Sequence, residues 1–247
     1  MKSRNILDSR ALKRVFGIQQ AASIRFSDTK PSNSVRYSDT ACTALGRVLK
    51  YGRSTFIDRS LGQLCPGANY FLGIHRLPKG EIMNVYVAQE KVFESFKACK
   101  SFLGALPEYP SLGKTRYITI TPLFLETGCP DVVVLCVNPA QTSRLLGLSV
   151  FKKMMLPEIF PAGPSCLSLY APLSTGRIHV NFIDYYDRYH QGKQGKTYLW
   201  EEHELMVAMP YQLFRSVMDS VPASPHGQNK PRLRPKMVDP FVCQVRK

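Results

Sequence analysis

The sequence has no long apolar run, and this absence sets the first limits on its class. No stretch of roughly 18 consecutive apolar residues occurs, so the sequence predicts no membrane span. The basic start, residues 1–4, is not followed by the apolar core of a secretory signal. We therefore expect a cytoplasmic protein without a membrane partner. The 247 residues, 44% of them hydrophobic, suffice for a sizeable core in one domain.

The sequence also lacks closely paired cysteines. No two are spaced as CxxC, so a zinc ribbon or a thioredoxin-type site has no support. Their number is odd and the chain is long, which argues against a disulfide framework. Many cysteines in such a chain are simply small buried residues. The seven cysteines are Cys42, Cys65, Cys99, Cys129, Cys136, Cys166 and Cys243.

Signature motifs of several enzyme classes are missing as well. Neither GxGxxG nor GxxxxGKS/T occurs, so the usual sequence evidence for a dinucleotide or a nucleoside triphosphate site is absent. Neither GxSxG nor HExxH occurs, so a serine hydrolase and a zincin have no support. The sequence leaves open whether the chain is an enzyme.

Acidic residues are scarce: 18 Asp and Glu stand against 33 Lys and Arg, which gives a net charge of +15. Such charge favours nucleic acid, an acidic protein partner, or an anionic cofactor or small molecule, while a solvated basic surface is the simpler explanation. A nucleic-acid-binding module would use the basic ends of the chain, with Lys230, Arg232, Arg234 and Lys236 in contact with phosphates.

Segments with helical periodicity alternate with short β-rich segments. This mixture predicts an α/β (or α+β) fold, a single domain with a mixed sheet flanked by helices. We expect the domain over residues 1–221 and a basic, proline-rich C-terminal tail over residues 222–247. Predicted helices cover residues 7–22, 41–51 and 211–217, and further helices are predicted to begin near Cys65, Gln89 and Asn138. Predicted strands cover residues 82–88, 117–124, 132–137, 178–183 and 204–209.

Three cysteines fall where helices are predicted to begin. Cys65 precedes a proline, which favours the first helical position. Cys42 follows the cap candidates Asp39 and Thr40, and Cys166 follows a Gly-Pro-Ser sequence. Free backbone N–H groups and the helix dipole at such positions favour thiolate over thiol. The three side chains are therefore candidate ligands of one metal ion or cluster; the alternative is that each fills space beside a helix start.

A second candidate site lies where the apolar run 132–137 ends and a helix begins. Ligands of open α/β sheets often bind beside such strand ends. Asn138 precedes this helix, and Gln141 and Arg144 lie on its first turns, so the three could form the polar wall of a cofactor site. Plain capping by Asn138 is the alternative.

The stretch from Asp184 to His190 combines carboxylates, tyrosines, an arginine and a histidine. Such groups suit acid–base catalysis or anion binding, and Arg188 is a candidate anion clamp. The same mixture is also common in surface loops.

Several short segments together resemble the uncharacterised ArCR family, a domain of unknown function found in archaea and bacteria. Each segment alone is weak evidence, but together they occur in the order typical of the family over roughly residues 10 to 218. The segments are Ala41-Cys42-Thr43-Ala44-Leu45, Leu64-Cys65-Pro66-Gly67-Ala68 with Leu72-Gly73, Val137-Asn138-Pro139-Ala140-Gln141 with Arg144-Leu145, Ser165-Cys166 with Pro172-Leu173, and Glu204-Leu205-Met206-Val207 with Pro210.

The resemblance implies a shared fold and site but no reaction. The family pattern places cysteines at Cys42, Cys65 and Cys166, and usually a further cysteine and then an arginine after the strand near residue 182. Here Arg188 takes the place of that arginine, whereas the fourth cysteine is absent. If the family holds a four-cysteine cluster, this chain has either lost one ligand or uses Asp184, Asp187 or His190 in place of that cysteine.

Three hypotheses follow. The leading one is a protein that binds a metal, an iron–sulfur cluster or an anionic cofactor through Cys42, Cys65 and Cys166, either redox-active or an accessory to a metalloenzyme. The second is the nucleic-acid-binding module. The third is a thiol-dependent enzyme that acts on an anionic small molecule, with Cys65 as the catalytic nucleophile.

Overall fold

The structure is a computed structural model of the whole chain, and it is described here for most of the chain. The described residues are 4–36, 40–58, 65–72, 78–106, 115–152, 156–160, 165–189 and 200–228. Within these ranges, no helix has the length and apolar character needed to cross a membrane.

One mixed sheet of eight strands forms the centre of the described structure. The strand order is β2-β3-β4-β1-β5-β8-β7-β6. The central neighbours are antiparallel, and the edge pairs β2–β3 and β6–β7 are parallel. This arrangement confirms the predicted α/β class with a mixed sheet flanked by helices. The strands are β1 (Ala21–Ser27), β2 (Val35–Arg36), β3 (Thr55–Asp58), β4 (Tyr117–Pro122), β5 (Val132–Val137), β6 (Glu158–Phe160), β7 (His179–Asn181) and β8 (Leu205–Pro210).

Helices cover both faces of the sheet. The helices are α1 (Arg4–Ala11), α2 (Ala41–Tyr51), α3 (Pro66–Leu72), α4 (Lys79–Asn84), α5 (Phe96–Ala105), α6 (Pro139–Phe151), α7 (Leu167–Thr175), α8 (Tyr185–Tyr189) and α9 (Tyr211–Ser220). Residues of α2, α3 and α7 share one hydrophobic cluster with one face of the sheet, whereas residues of α6 and α9 share another cluster with the opposite face.

Strand β5 shows why two clusters form. All six of its residues are buried, and successive side chains alternate between the clusters because a strand has a period of two. Val134 and Cys136 face α2 and α7, whereas Leu135 and Val137 face α6 and α9. The continuous apolar run therefore predicts correctly a strand buried on both faces.

Two predicted elements are wrong, and the helix predicted to begin near Gln89 begins only at Phe96. The expected strand over residues 82–88 is helical, with α4 followed by a π-helical turn, Val85–Gln89. Its buried residues, Ile82 and Tyr86, are four positions apart, which is a helical spacing that the β-rich composition obscured. In place of the helix expected over residues 7–22, α1 continues as a π-helical turn, Leu12–Phe16. This turn ends because Gly17 adopts the left-handed conformation (φ 71°), and β1 begins at Ala21.

The described part of the predicted C-terminal tail packs on α6. Arg144 donates hydrogen bonds to the carbonyl oxygens of His226 (2.9 Å) and Gln228 (3.1 Å). The His226 ring lies against Gly147, where a Cβ atom would come within 2.5 Å of its Nδ1. A side chain at position 147 would therefore displace this segment. Residues 229–247, including the four basic residues assigned to nucleic-acid binding, lie outside the described residues.

Candidate functional site

The three cysteines at predicted helix starts do lie at helix starts. Cys42 is the second residue of α2, which Thr40 caps by accepting a hydrogen bond from the Thr43 N–H at 3.3 Å. Cys65 immediately precedes α3, and Cys166 is the N-cap residue of α7. The sequence pattern therefore placed all three thiols correctly with respect to their helices.

The structure also brings these three cysteines, which we call the thiol cluster, together from distant parts of the chain. The backbone N–H of Ala41 donates a hydrogen bond to the Cys65 sulfur at 3.4 Å, so α2 and α3 begin side by side. A Cβ atom on Gly67 would lie 3.6 Å from the Cys166 sulfur, so the first turn of α3 also faces the start of α7. Negative charge on Cys65 or Cys166 would raise the pKa of Cys42, which places the three sulfurs in one electrostatic environment.

Two carboxylates of the stretch 184–190 adjoin the thiol cluster. Asp187 accepts a hydrogen bond from the backbone N–H of Ser165, the residue before Cys166. The backbone N–H of Asp187 in turn donates to Asp184 Oδ1 at 2.8 Å, which ties the Asp184 carboxylate to α8. Asp184 is buried. His190, the third substitute named for the absent cysteine, lies outside the described residues.

The environment of Cys42 and Cys166 favours the thiol over the thiolate, contrary to the expectation from the helix dipole. Burial raises the pKa of Cys42 well above its usual value, and Asp187 raises it further, whereas the hydrogen bond with Thr40 lowers it. Burial likewise raises the pKa of Cys166, with further increases from Cys65, Asp187 and Asp184. Desolvation and neighbouring negative charge therefore outweigh the helix ends at these two positions.

Glu90 extends the acidic environment. Burial raises the pKa of its carboxyl group from 4.5 to about 8, and the charges of Asp184 and Asp187 add to the increase. The surroundings of Glu90 therefore favour its protonated carboxyl group near neutral pH.

Tyr86 is a polar group at the cluster that the sequence analysis missed. Its side chain is 4% exposed, and its hydroxyl has no hydrogen-bond partner among the described residues. A Cβ atom on Gly67 would lie 4.0 Å from this hydroxyl and 3.6 Å from the Cys166 sulfur, so both groups face the first turn of α3. The wrong strand prediction over residues 82–88 concealed Tyr86, whereas its helical spacing from Ile82 was the available signal.

The side chains as they stand do not form a closed metal-binding shell. In the described part of the chain, no three His, Cys, Asp or Glu groups are placed so that they could hold one metal ion. The sulfurs of Cys42 and Cys65 have other contacts: the first lies 3.0 Å from Thr40 Oγ1, and the second accepts the Ala41 N–H.

The predicted polar wall lies in a different place, at the end of β5. A cavity of about 590 Å³, which we call the β5 cavity, is lined there by Asn138 and Gln141, together with Cys136 and Glu204. Residues 49–52, at the C-terminal end of α2, also line it, whereas Cys42 lies at the other end of this helix. The structure therefore separates Asn138 and Gln141 from the thiol cluster by most of the length of α2.

Asn138 and Gln141 form a capping box at the start of α6. Asn138 Oδ1 accepts the Gln141 N–H at 2.9 Å, and Gln141 Oε1 accepts the Asn138 N–H at 2.8 Å. Gln141 Nε2 also donates to the Phe16 carbonyl at 3.0 Å. These contacts satisfy orphan backbone groups and give both side chains a structural role.

Both predicted arginines bind backbone carbonyl groups. Arg144 donates to Val15 at 3.0 Å, in addition to its contacts with the C-terminal segment, and its guanidinium lies 4.5 Å from the centre of the Phe16 ring. Arg188 donates to Phe182 (2.8 Å), Glu204 (3.1 Å) and Glu201. These bonds hold elements of the protein together; whether either arginine also contacts a ligand stays a prediction.

These features define an α/β protein with a partly buried group of thiols and carboxylates beside three helix starts. The chain belongs to the uncharacterised ArCR family, whose model matches residues 19–220. This match confirms the resemblance that the cysteine segments indicated. No curated protein and no solved structure matches the chain.

Proposed function

We propose that the protein binds a thiophilic metal, as a single ion or as an iron–sulfur cluster, through Cys42, Cys65 and Cys166. The observation that carries the proposal is the meeting of these thiols at three helix starts beside Asp184 and Asp187. Thiolates are the preferred ligands of such metals, and carboxylates can complete their coordination.

The charges of the site favour a cation over the anionic cofactor that we also considered. Asp184 and Asp187 would repel an anion, and they already raise the pKa of Cys166. A metal ion would reverse this effect, because it takes the place of the thiol protons and offsets the surrounding negative charge. Metal binding should therefore release protons and strengthen with pH.

Binding requires the thiols to turn away from their present contacts. Metal–sulfur bonds are about 2.3 Å long. Cys42 would exchange its contact with Thr40, and Cys65 its contact with the Ala41 N–H, for the metal. Asp184 or Asp187 would then take the position of a fourth ligand.

The test is purification without oxygen, followed by the visible absorption spectrum and the metal and sulfide content. Iron with sulfide and a broad charge-transfer band would identify a cluster, whereas metal without sulfide would identify a single-ion site. Protein isolated without metal is titrated with Fe²⁺, Zn²⁺ and Co²⁺ under reducing conditions.

Serine variants assign the ligands. We expect Cys42→Ser, Cys65→Ser and Cys166→Ser each to weaken metal binding by about tenfold or more. Cys99→Ser is the matched control, because Cys99 is buried like Cys65 and Cys166 but lies in α5 and outside the cluster. Failure to bind any of the three metals, or equal binding by the control and the cluster variants, would refute the proposal.

A further inference from the structure

The β5 cavity has the features of a second binding site, distinct from the thiol cluster. Its volume, about 590 Å³, falls in the range of small-molecule pockets, about 300–1,000 Å³. It lies at the end of the central strand β5, between α2 on one face of the sheet and α6 on the other. Neither the cysteines of the thiol cluster nor the acidic residues beside it line the cavity.

An ion pair of opposite charges faces this cavity. Lys50 Nζ and Glu204 Oε1 form a hydrogen-bonded salt bridge, with 18% and 10% of the two side chains exposed. Arg188 and the N–H of Glu201 hold the Glu204 backbone and carboxylate in position. The pKa of Glu204 is lowered even though its burial acts to raise it, because the hydrogen bonds from Lys50 and Glu201 prevail. The cavity therefore presents one fixed anion and one fixed cation.

The helix ends around the cavity repeat this separation of charge. Leu49, Lys50 and Tyr51 are the last residues of α2, and the negative end of its dipole faces the cavity there. Asn138 and Gln141 are at the start of α6, where the dipole is positive. The Lys50 ammonium group offsets the negative end of α2, whereas the start of α6 adds a positive potential that favours a carboxylate in the cavity.

The side chain of Gln20 carries a hydrogen-bond acceptor that has no partner among the described residues. Gln20 lines the cavity, and this acceptor is its buried Oε1 atom. Its backbone carbonyl is fixed next to β5 by the Cys136 N–H at 2.9 Å. A rotation of the side chain that brings this atom to the cavity surface would let it accept an N–H group of a ligand.

We propose that the β5 cavity binds a free α-amino acid. Glu204 and Gln20 receive its ammonium group, and Lys50 receives its carboxylate. Because Lys50 and Glu204 already compensate each other, a ligand of zero net charge leaves the cavity neutral, whereas a simple amine or carboxylate would leave one charge in excess.

The test measures binding of each of the common free amino acids to the full-length protein by isothermal titration calorimetry. For every amino acid that binds, the N-acetyl form and the carboxamide form are titrated in parallel. We expect each blocked form to bind at least about tenfold more weakly, because each lacks one charged hydrogen-bonding group. Absence of binding by all free amino acids, or equal binding by the blocked forms, would overturn the proposal.

Variants of the ion pair locate the site. We expect Lys50→Met and Glu204→Gln each to weaken binding by at least about tenfold. The same substitutions at exposed positions of the chain, Lys97→Met and Glu94→Gln, are the controls. If a single variant does not fold, the double variant Lys50→Met with Glu204→Gln replaces it, since that change leaves no unpaired buried charge. Unchanged binding in the ion-pair variants would place the ligand elsewhere and refute the assignment.

Discussion

The Asp187 carboxylate accepts a hydrogen bond from the backbone N–H of Ser165, so helix α8 is tied to the residue directly before Cys166. The bond places negative charge beside the thiol cluster, and this charge contributes to the raised pKa values of Cys42 and Cys166. One residue thus couples the acidic stretch 184–190 to the start of α7.

We expect Asp187→Asn to lower the pKa values of Cys42 and Cys166, because it removes a negative charge that disfavours thiolate. The amide can still accept the Ser165 N–H, so the fold should persist. The measurement is the ultraviolet absorbance of thiolate as a function of pH. Asp28→Asn, at an exposed position, should leave the titration unchanged. An unaltered titration in Asp187→Asn would show that the carboxylate does not act on these thiols.

We expect Tyr86→Phe to maintain or increase the stability of the metal-free protein, by up to about 1 kcal/mol, because it removes a buried hydroxyl that has no partner among the described residues. Tyr211→Phe is the matched contrast, since the Tyr211 hydroxyl donates to Asn5 Oδ1 at 2.8 Å, and its loss should cost about 1 kcal/mol. Urea unfolding measures both free energies. A loss of stability in Tyr86→Phe as large as that in Tyr211→Phe would contradict the expectation.

Glu90 should make the metal-free protein less stable as the pH rises. Its carboxyl group has a pKa of about 8 when folded and 4.5 in the reference state, so between these values the folded protein retains a proton that the unfolded chain has lost. The contribution of Glu90 to the free energy of unfolding therefore falls from about pH 5 to pH 8 and is constant above that range.

The variant Glu90→Gln should remove this dependence. We expect its stability relative to the unmodified protein to be greater at pH 8 than at pH 5, as measured by urea unfolding at both values. Glu94→Gln, on an exposed neighbour, should show no such difference. A parallel pH dependence in Glu90→Gln and the unmodified protein would disprove the assignment to Glu90.

We expect Arg144→Ala to destabilise the protein by about 2–3 kcal/mol, because it removes hydrogen bonds to three carbonyl groups and the contact with the Phe16 ring. The segment 224–228 should then detach from α6. Urea unfolding measures the first effect, and hydrogen exchange of this segment measures the second. Arg116→Ala, at an exposed position, is the control. If Arg144→Ala changes neither the free energy of unfolding nor the hydrogen exchange of the segment, Arg144 has no structural role here, and the cofactor role suggested by the sequence is favoured.

The sequence predicted most local features correctly, because local features depend on neighbouring residues. The apolar run of β5, the Thr40 cap and the proline after Cys65 each indicate an element without reference to the rest of the chain. Gly17 shows the opposite case: it interrupts a helical pattern, and only its left-handed conformation reveals that the helix ends there.

The candidate site was predicted in part. The types and positions of the three cysteines were sufficient to select them, but their distance from one another depends on how α2, α3 and α7 pack on the sheet. The same packing decides that Asn138 and Gln141 face another cavity and that Tyr86 and Glu90 adjoin the thiols. Burial also reverses the expected effect of the helix dipole on Cys42, and no local pattern reports burial of this kind.

The described edges of the sheet offer little backbone to which another strand could pair. Among the described residues, the edge strands β2 and β6 have two and three residues, so each presents few unpaired backbone groups to another molecule. The long and strongly apolar strands, β5 and β8, lie in the centre with partners on both sides. A second copy therefore finds little template for adding a strand, and the net charge of +15 adds mutual repulsion. The arrangement protects the most aggregation-prone segments by placing them furthest from the sheet edges.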